Sequence, residues 1–154
     1  MDANPAARKK LNPDVEFLEQ NCAEPWNLVD GSLDVVFTSN FFEHLLTKAD
    51  LMKTILEAKR CLRKGGRIIA MGPNIKFLTG AYWDFYDHYL PLTELSMKEA
   101  LDTAGFHAEM VLDRFLPYTM VNAPKVPVAL MRVYLMVPVL WKFFGKQFVV
   151  IASS

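Results

Sequence analysis

The pattern of hydrophobic and polar residues between positions 33 and 71 predicts a strand, a helix and a second strand. Residues 33–38 form a short β-branched and aromatic run that is typical of a buried parallel strand. Residues 67–71 form the second run. Between them, apolar residues recur at helical spacing and predict one buried stripe: Leu51, Ile55, Ala58 and Leu62. The pattern predicts a parallel strand pair with a right-handed helical crossover, a unit that binds ligands at the carboxyl ends of its strands.

Polar and glycine residues mark the ends of this helix. Thr47 is placed to cap its first turn, and Asp50 stands three residues later, as in a capping box. Arg63 and Lys64 suit the negative end of the helix dipole. Gly65-Gly66 then predicts a left-handed exit from the helix.

The rest of the chain also alternates between helix and strand patterns. Further helices are predicted at residues 5–11 and 96–104, the second between a Ser96–Glu99 capping box and a stop at Gly105. Further strands are predicted at three places: residues 15–18, 109–115 and 147–152. This order of elements predicts a single α/β domain.

Residues 72–92 are predicted to form a long aromatic loop. It contains six aromatic residues: Phe77, Tyr82, Trp83, Phe85, Tyr86 and Tyr89. A connection of this kind at the carboxyl edge of a sheet is often a lid or a wall of a substrate site. The alternative is a surface loop that its rings hold against the core.

Residues 121–144 are the most apolar stretch of the chain. Pro127, Arg132 and Pro138 interrupt its apolar runs, which argues against a membrane span. We expect a helical insertion between the last two strands that covers the sheet or the site. A monotopic membrane contact is the less favoured alternative, supported by aromatic and cationic residues: Tyr134, Trp141, Phe143, Phe144, Arg132, Lys142 and Lys146.

Composition adds few constraints. Lysine plus arginine and aspartate plus glutamate both number 17, so the net charge gives no reason to expect nucleic-acid binding. The two cysteines, Cys22 and Cys61, fit a reducing cytoplasm, and the charged first 20 residues do not resemble a signal peptide. No spacing of histidine, cysteine and acidic residues predicts a metal site. The expectation is a cytoplasmic protein with a small-molecule ligand.

Two pairs of adjacent polar residues are candidates for acid–base chemistry. Glu43 and His44 lie in the loop after the first strand of the central unit, and an imidazole exchanges a proton near neutral pH. Asp87 and His88 lie in the aromatic loop, where the carboxylate could orient the imidazole. Adjacent side chains seldom face each other, however, so Asp87 and His88 need not act as a dyad. For each histidine the alternative is ordinary polar packing.

Several segments, taken in order, resemble one enzyme family. They are Asp2 with Asn4-Pro5, and residues 14–17, 33–36, 40–45, 62–69, 101–106 and 145–152. The ordered set resembles the class I S-adenosylmethionine-dependent methyltransferases of the small bacterial single-domain type. The resemblance implies a Rossmann-like α/β sheet of seven strands, whose last strand is antiparallel and lies between the fifth and sixth. The predicted strands would be strands three to seven, so the sheet would be incomplete at the amino terminus.

The resemblance also implies the residues of a site for S-adenosylmethionine and an acceptor. The cofactor would meet Asp2 at its ribose, Asn21 and Cys22 near its adenine, and the loop residues Ser39, Asn40 and Phe41. The acceptor would meet Glu43, Tyr82, Trp83, Asp87 and His88. His44 or His88 would accept the proton of a hydroxyl or amine acceptor. For Asn21 a simple turn role is the alternative.

The glycine-rich cofactor loop of that family has no counterpart in this sequence. We therefore expect an amino-terminally truncated reading frame, in which residues 15–18 lose the neighbouring strands that would pair with them. Two other functions remain open. One is a non-catalytic remnant that binds a partner or a membrane surface through residues 121–144. The other is a nucleotide-cofactor dehydrogenase, whose glycine fingerprint is also missing from the sequence.

Overall fold

The computed structural model describes residues 12–118 and 126–154. Four strands and four helices alternate along this part of the chain: β1 Leu33–Ser39, α1 Lys48–Cys61, β2 Leu62–Pro73, α2 Glu94–Thr103, β3 His107–Leu112, α3 Val128–Met136, α4 Pro138–Phe144 and β4 Gln147–Ser153. Two short 3-10 turns, Phe42–His44 and Gly80–Asp84, follow β1 and β2. The helix predicted at residues 5–11 lies outside the described residues.

The strands form one mixed sheet in the order β1-β2-β4-β3. β1 and β2 are parallel, whereas β4 is antiparallel to both β2 and β3. The last strand in sequence therefore lies between its two predecessors, as the resemblance implied. The α/β fold and the antiparallel last strand are both confirmed.

The predicted central unit is confirmed, with one change at the end of its helix. Thr47 caps α1, because its hydroxyl oxygen accepts the Asp50 N–H at 3.1 Å. The stripe is buried, and Ile55 is 0% exposed. The helix ends at Cys61, however, and the left-handed residue is Gly65 (φ 72°), which lies within β2 where its pairing with β1 shifts register. Gly65 therefore accommodates a bulge between the strands and does not terminate the helix.

The second predicted helix begins earlier than expected. Thr93 is the cap of α2, and Ser96 is its partner: Thr93 accepts the Ser96 N–H at 3.1 Å, and Ser96 accepts the Thr93 N–H at 2.9 Å. The prediction of Ser96 as the cap was wrong, because Ser96 is the distal half of a box that begins at Thr93. Gly105 ends the helical turn with φ 82°, as predicted.

Residues 15–18 do not form the predicted strand. The Val15 N–H donates to the Asn12 carbonyl in a turn, and no ladder pairs the following residues with another strand in the described ranges. A strand requires a neighbour for its backbone donors and acceptors, and β1 carries only β2 beside it here.

The end of β3 also differs from the prediction, since this strand ends at Leu112 and not at residue 115.

One face of the sheet carries the core. Ile68 of β2 and Val150 of β4 pack with Ile55 of α1 and Leu101 of α2 in one buried cluster. On the opposite face, Phe37 of β1 is 61% exposed, whereas Val149 of β4 is buried. The expectation of a fully buried β1 was therefore wrong in the described structure, because α1 and α2 both pack against the same face.

Candidate functional site

The loop after β1 crosses the carboxyl edge of the parallel strands. Asn40 has φ 48°, a left-handed conformation that asparagine tolerates better than most residues. Its N–H donates to the Met71 carbonyl of β2 at 3.1 Å, which fixes the start of the loop on the neighbouring strand. The 3-10 turn Phe42–His44 follows directly. Phe42 anchors this turn in the core with 3% exposure.

Glu43 is a buried acidic residue whose contacts support the fold. Its side chain is 1% exposed, and its Oε1 accepts the Tyr82 hydroxyl at 2.7 Å. Its backbone carbonyl accepts the N–H groups of Tyr89 and Leu90 at 2.8 and 3.1 Å. Glu43 therefore ties the middle and the last residues of the aromatic loop to the end of β1. Burial and the hydrogen bond to Glu43 raise the pKa of Tyr82 well above its usual range, so its phenol stays protonated and donates.

His44 faces away from its neighbour Glu43 and meets the aromatic loop. Its Nδ1 lies 3.0 Å from the Asp87 carbonyl oxygen and 3.2 Å from the Asp87 carboxylate. Both partners are acceptors, so a neutral His44 holds its proton on Nδ1 and has a free lone pair on Nε2. His88 has the same arrangement, since its Nδ1 lies 2.6 Å from the Tyr82 carbonyl oxygen. Each imidazole is thus oriented as a base.

The two histidines come together although they are far apart in sequence. Their ring centroids are 4.8 Å apart in an edge-to-face contact. His44, Asp87 and His88 offer ligand atoms that lie within 4.8 Å of one another. The sequence spacing had predicted no metal site, and folding nevertheless groups three potential ligands here. Asp87 pairs with His44 and not with its sequence neighbour His88, so the adjacent residues do not form the dyad considered above.

The aromatic loop is packed by its own rings. Tyr82 is 7% exposed, and its ring contacts those of His88 and Tyr118 at centroid distances of 4.2 and 4.9 Å. Trp83 donates its indole N–H to the Leu78 carbonyl at 2.8 Å. Tyr82 and Trp83, both expected at the acceptor, thus hold the loop that presents His88. Sequence reasoning missed Tyr118, which no local pattern connects to this loop.

A cleft of about 510 Å³ lies on the other side of the same loop. Three of the residues expected at the cofactor line it: Cys22, Ser39 and Phe41. Asn40 does not line it, and Asn21 is used in a turn, where its side chain contacts the Ala23 N–H at 3.0 Å and Glu24 at 3.2 Å. Asp2 lies outside the described residues.

Two lining residues of the cleft were not expected from the sequence. Thr38 lines it, and the buried hydroxyl oxygen of this residue has no hydrogen-bond partner among the described residues. Trp26 forms part of the opposite wall, and its indole N–H donates to the Cys22 carbonyl at 2.9 Å. A large aromatic residue soon after Asn21 was the available signal for Trp26. Nothing in the strand pattern distinguishes Thr38.

An ion-paired arginine holds the outer wall of this cleft. Arg60 of α1 donates to the Trp26 and Leu28 carbonyls at 2.9 and 3.0 Å. Glu57 accepts from Arg60 at 2.8 Å and from the Trp26 N–H at 2.7 Å. The hydrogen bond from Arg60 lowers the pKa of Glu57, which keeps this acceptor ionised. The segment around Trp26 is therefore fixed on α1 without being a strand.

Comparisons with known proteins agree with this fold. Residues 1–70 match the family described as methyltransferase domain. No curated protein matches the chain. Solved structures with the same fold include an S-adenosylmethionine-dependent methyltransferase from Archaeoglobus fulgidus, at 20% identity and TM-score 0.64, over 98% of this chain and 73% of that one.

Two further solved structures are similar over 96% of this chain. One is a putative methyltransferase in complex with the Trm112 methyltransferase activator of Haloferax volcanii, at 19% identity, TM-score 0.68 and 65% of its length. The other is a possible histamine N-methyltransferase from Thermotoga maritima, at 17% identity, TM-score 0.65 and 66% of its length. The chain spans about two thirds of the length of these two proteins.

The resemblance to class I S-adenosylmethionine-dependent methyltransferases is therefore confirmed. It holds in fold over nearly the whole chain and in sequence over residues 1–70.

Proposed function

We propose that this protein binds S-adenosylmethionine in the cleft beside β1 and takes part in methyl transfer to a small acceptor at His44 and His88. The observation that supports this most directly is the position of the loop after β1. Ser39 and Phe41 of that loop line the cleft, while His44 of the same loop meets Asp87 and lies beside His88. One short segment thus separates a cofactor-sized cleft from a pair of bases.

The residues of the cleft fit this cofactor. Trp26 and Phe41 offer aromatic surface for an adenine ring. The hydroxyl-bearing residue Ser39 offers a polar contact in the same cleft. Asp2 remains a proposed ribose ligand, because a carboxylate accepts from two neighbouring hydroxyl groups. The bound sulfonium would supply an activated methyl group.

The chain itself would align the acceptor and remove its proton. In-line displacement at the methyl carbon needs the acceptor atom held on the axis of the breaking bond, with water excluded. The free Nε2 of His44 or His88 would take the proton of a hydroxyl or amine acceptor. Asp87 would stabilise the imidazolium formed at His44, because its carboxylate lies 3.2 Å from Nδ1.

Binding of S-adenosylhomocysteine, measured by calorimetry, tests the cofactor half of this proposal. We expect saturable binding by the unaltered chain, and roughly tenfold weaker binding after Phe41→Ala, because the lost ring contact amounts to about 1.4 kcal/mol. Phe85→Ala is the matched control, since Phe85 lies in the aromatic loop and is not among the cleft residues. A folded chain that takes up no S-adenosylhomocysteine would overturn the proposal.

A second function is favoured by a different feature, the exposed apolar helices α3 and α4. In that case the domain would bind a surface through these helices and perform no chemistry. The same calorimetry separates the two, because a purely surface-binding protein predicts no response to S-adenosylhomocysteine.

A further inference from the structure

Helices α3 and α4 form an apolar surface at the end of the sheet where the candidate site lies. None of their residues is buried. Met136, Phe143 and Val128 are 80%, 75% and 71% exposed. The prediction was an insertion that covers the sheet or the site, whereas the apolar side chains of α3 and α4 point largely to solvent.

Two aromatic side chains, one on each helix, fix the helix pair on the domain. The Tyr134 hydroxyl donates to the Phe115 carbonyl, and the Trp141 indole N–H donates to the Tyr134 carbonyl at 3.0 Å. The ring of Trp141 also packs edge-on against Phe115, with centroids 5.0 Å apart. These contacts attach the helix pair to the segment after β3. The outward apolar face is therefore fixed in position on the domain. A concave apolar region lies within the helix pair, and Leu130 and Phe144 are among its lining residues.

The charge of this part of the chain has one sign. All 17 acidic residues precede Arg114, and every charged side chain from Arg114 to the end of the sequence is a lysine or an arginine. Among the described residues, Arg132 lies in α3, Lys142 in α4 and Lys146 two residues after α4, and all three are exposed. A protein partner of ordinary composition would present both signs of charge at its rim, whereas an anionic lipid surface presents one. The charge pattern therefore favours lipid.

The lengths of the helices decide how they would meet a bilayer. α3 has 9 residues and α4 has 7, and Pro138 begins the second. Among the described residues, no helix has the length and hydropathy needed to cross a membrane. Short apolar helices with exposed phenylalanine and flanking cations are suited to lie in the interfacial plane.

We propose that α3 and α4 bind an anionic membrane surface, with Phe143 and Phe144 inserted and Arg132, Lys142 and Lys146 near the headgroups. β3 ends and β4 begins at the same edge where β1 and β2 end, so this surface faces the edge that carries His44 and His88. Tyr118, in the segment after β3, contacts the Tyr82 ring edge-on with centroids 4.9 Å apart. The proposal does not depend on methyl transfer.

Co-sedimentation of the untagged chain with vesicles tests this inference. We expect binding to vesicles of phosphatidylcholine mixed with phosphatidylglycerol, little binding to phosphatidylcholine alone, and release at high salt. Replacing both Arg132 and Lys142 by glutamine should weaken binding at least about tenfold, since each cation near the surface contributes roughly 1 kcal/mol. Phe143→Ser with Phe144→Ser should abolish it.

The vesicle experiment has a control substitution outside the helix pair and defined contrary outcomes. Tyr86→Ser is the matched control, because Tyr86 is 92% exposed but lies in the aromatic loop; its binding should be unchanged. All four altered side chains of the test variants are outside the buried set, so circular dichroism should report an intact fold. Equal binding to neutral and anionic vesicles, or no binding, would overturn the proposal. A dimer in sedimentation velocity that Phe143→Ser and Phe144→Ser dissolve would assign the face to a second copy instead.

Discussion

Glu43 and His44 are neighbours in sequence and both contact the aromatic loop, yet one is buried and the other is partly exposed. The Glu43 carboxylate is 1% exposed and accepts the Tyr82 hydroxyl, whereas the His44 side chain is 27% exposed and pairs with an Asp87 side chain that is 65% exposed. Both residues look equally suited to acid–base work in the sequence. Their surroundings separate them into a residue that supports the fold and a residue available to a ligand.

The largest expected effect on stability is at Glu43, the buried residue of the two. Glu43→Ala should lower the free energy of unfolding by about 2–4 kcal/mol, because it leaves the Tyr82 hydroxyl unpaired and opens a cavity. Glu43→Gln keeps an acceptor oxygen for Tyr82 and should cost less than half as much. Urea denaturation of the two variants measures the difference. Equal losses for both variants would mean that the hydrogen bond to Tyr82 is unimportant.

His44, the partly exposed residue, should show the reverse, a large effect on methyl transfer and a small effect on stability. His44→Gln should slow methyl transfer about 10²-fold, the usual contribution of a general base, and change the unfolding free energy by no more than about 0.5 kcal/mol. The assay is S-adenosylhomocysteine release with a panel of small phenols and amines. Asp87→Asn should have a smaller effect, since the Asp87 backbone carbonyl still orients His44. Unchanged turnover after replacing both His44 and His88 would refute the assignment of the base.

Alkaline pH offers a test of the Glu43–Tyr82 pair without altering Glu43. The pKa of Tyr82 is raised in the folded state above its ordinary value of 10.0, so the folded chain keeps a proton that the unfolded chain loses. The stability contributed by this group is complete below pH 10 and falls above it, by about 1.4 kcal/mol per pH unit. Tyr82→Phe should show a flatter decline in urea midpoints between pH 9 and 11. Parallel curves for both proteins would contradict the pair.

The smallest expected effect concerns metal ions. If His44 and His88 act as bases, treatment with a chelator followed by dialysis should leave methyl transfer unchanged. A loss that zinc restores would instead show that the grouping of His44, Asp87 and His88 binds a metal ion, and would shift the chemistry of this side of the loop. Inductively coupled plasma analysis of the purified chain provides an independent reading.

Local signals in the sequence predicted the elements that local interactions define. The Thr47 cap and the stripe containing Ile55 place α1, and apolar runs place β1 and β4 within one residue. The run at 67–71 lies inside β2, which begins earlier, at Leu62. The same reasoning failed for residues 15–18, because a strand depends on a neighbour that the pattern cannot supply. It also misplaced β3 and the start of α2 by about two residues. For α2 the reason is that the local sequence fits Ser96 equally well as the cap or as the partner of the cap.

The sequence by itself determined the order of elements, the family it resembles and the loops in which chemistry should be sought. Only the tertiary structure decided the partners: Glu43 with Tyr82, His44 with Asp87, and His88 beside His44. The physical reason is that adjacent residues project in different directions, so a residue's partner is set by the loop that folds against it. Phe143 and Phe144 make the same point, because apolar sequence alone does not say whether a side chain is buried.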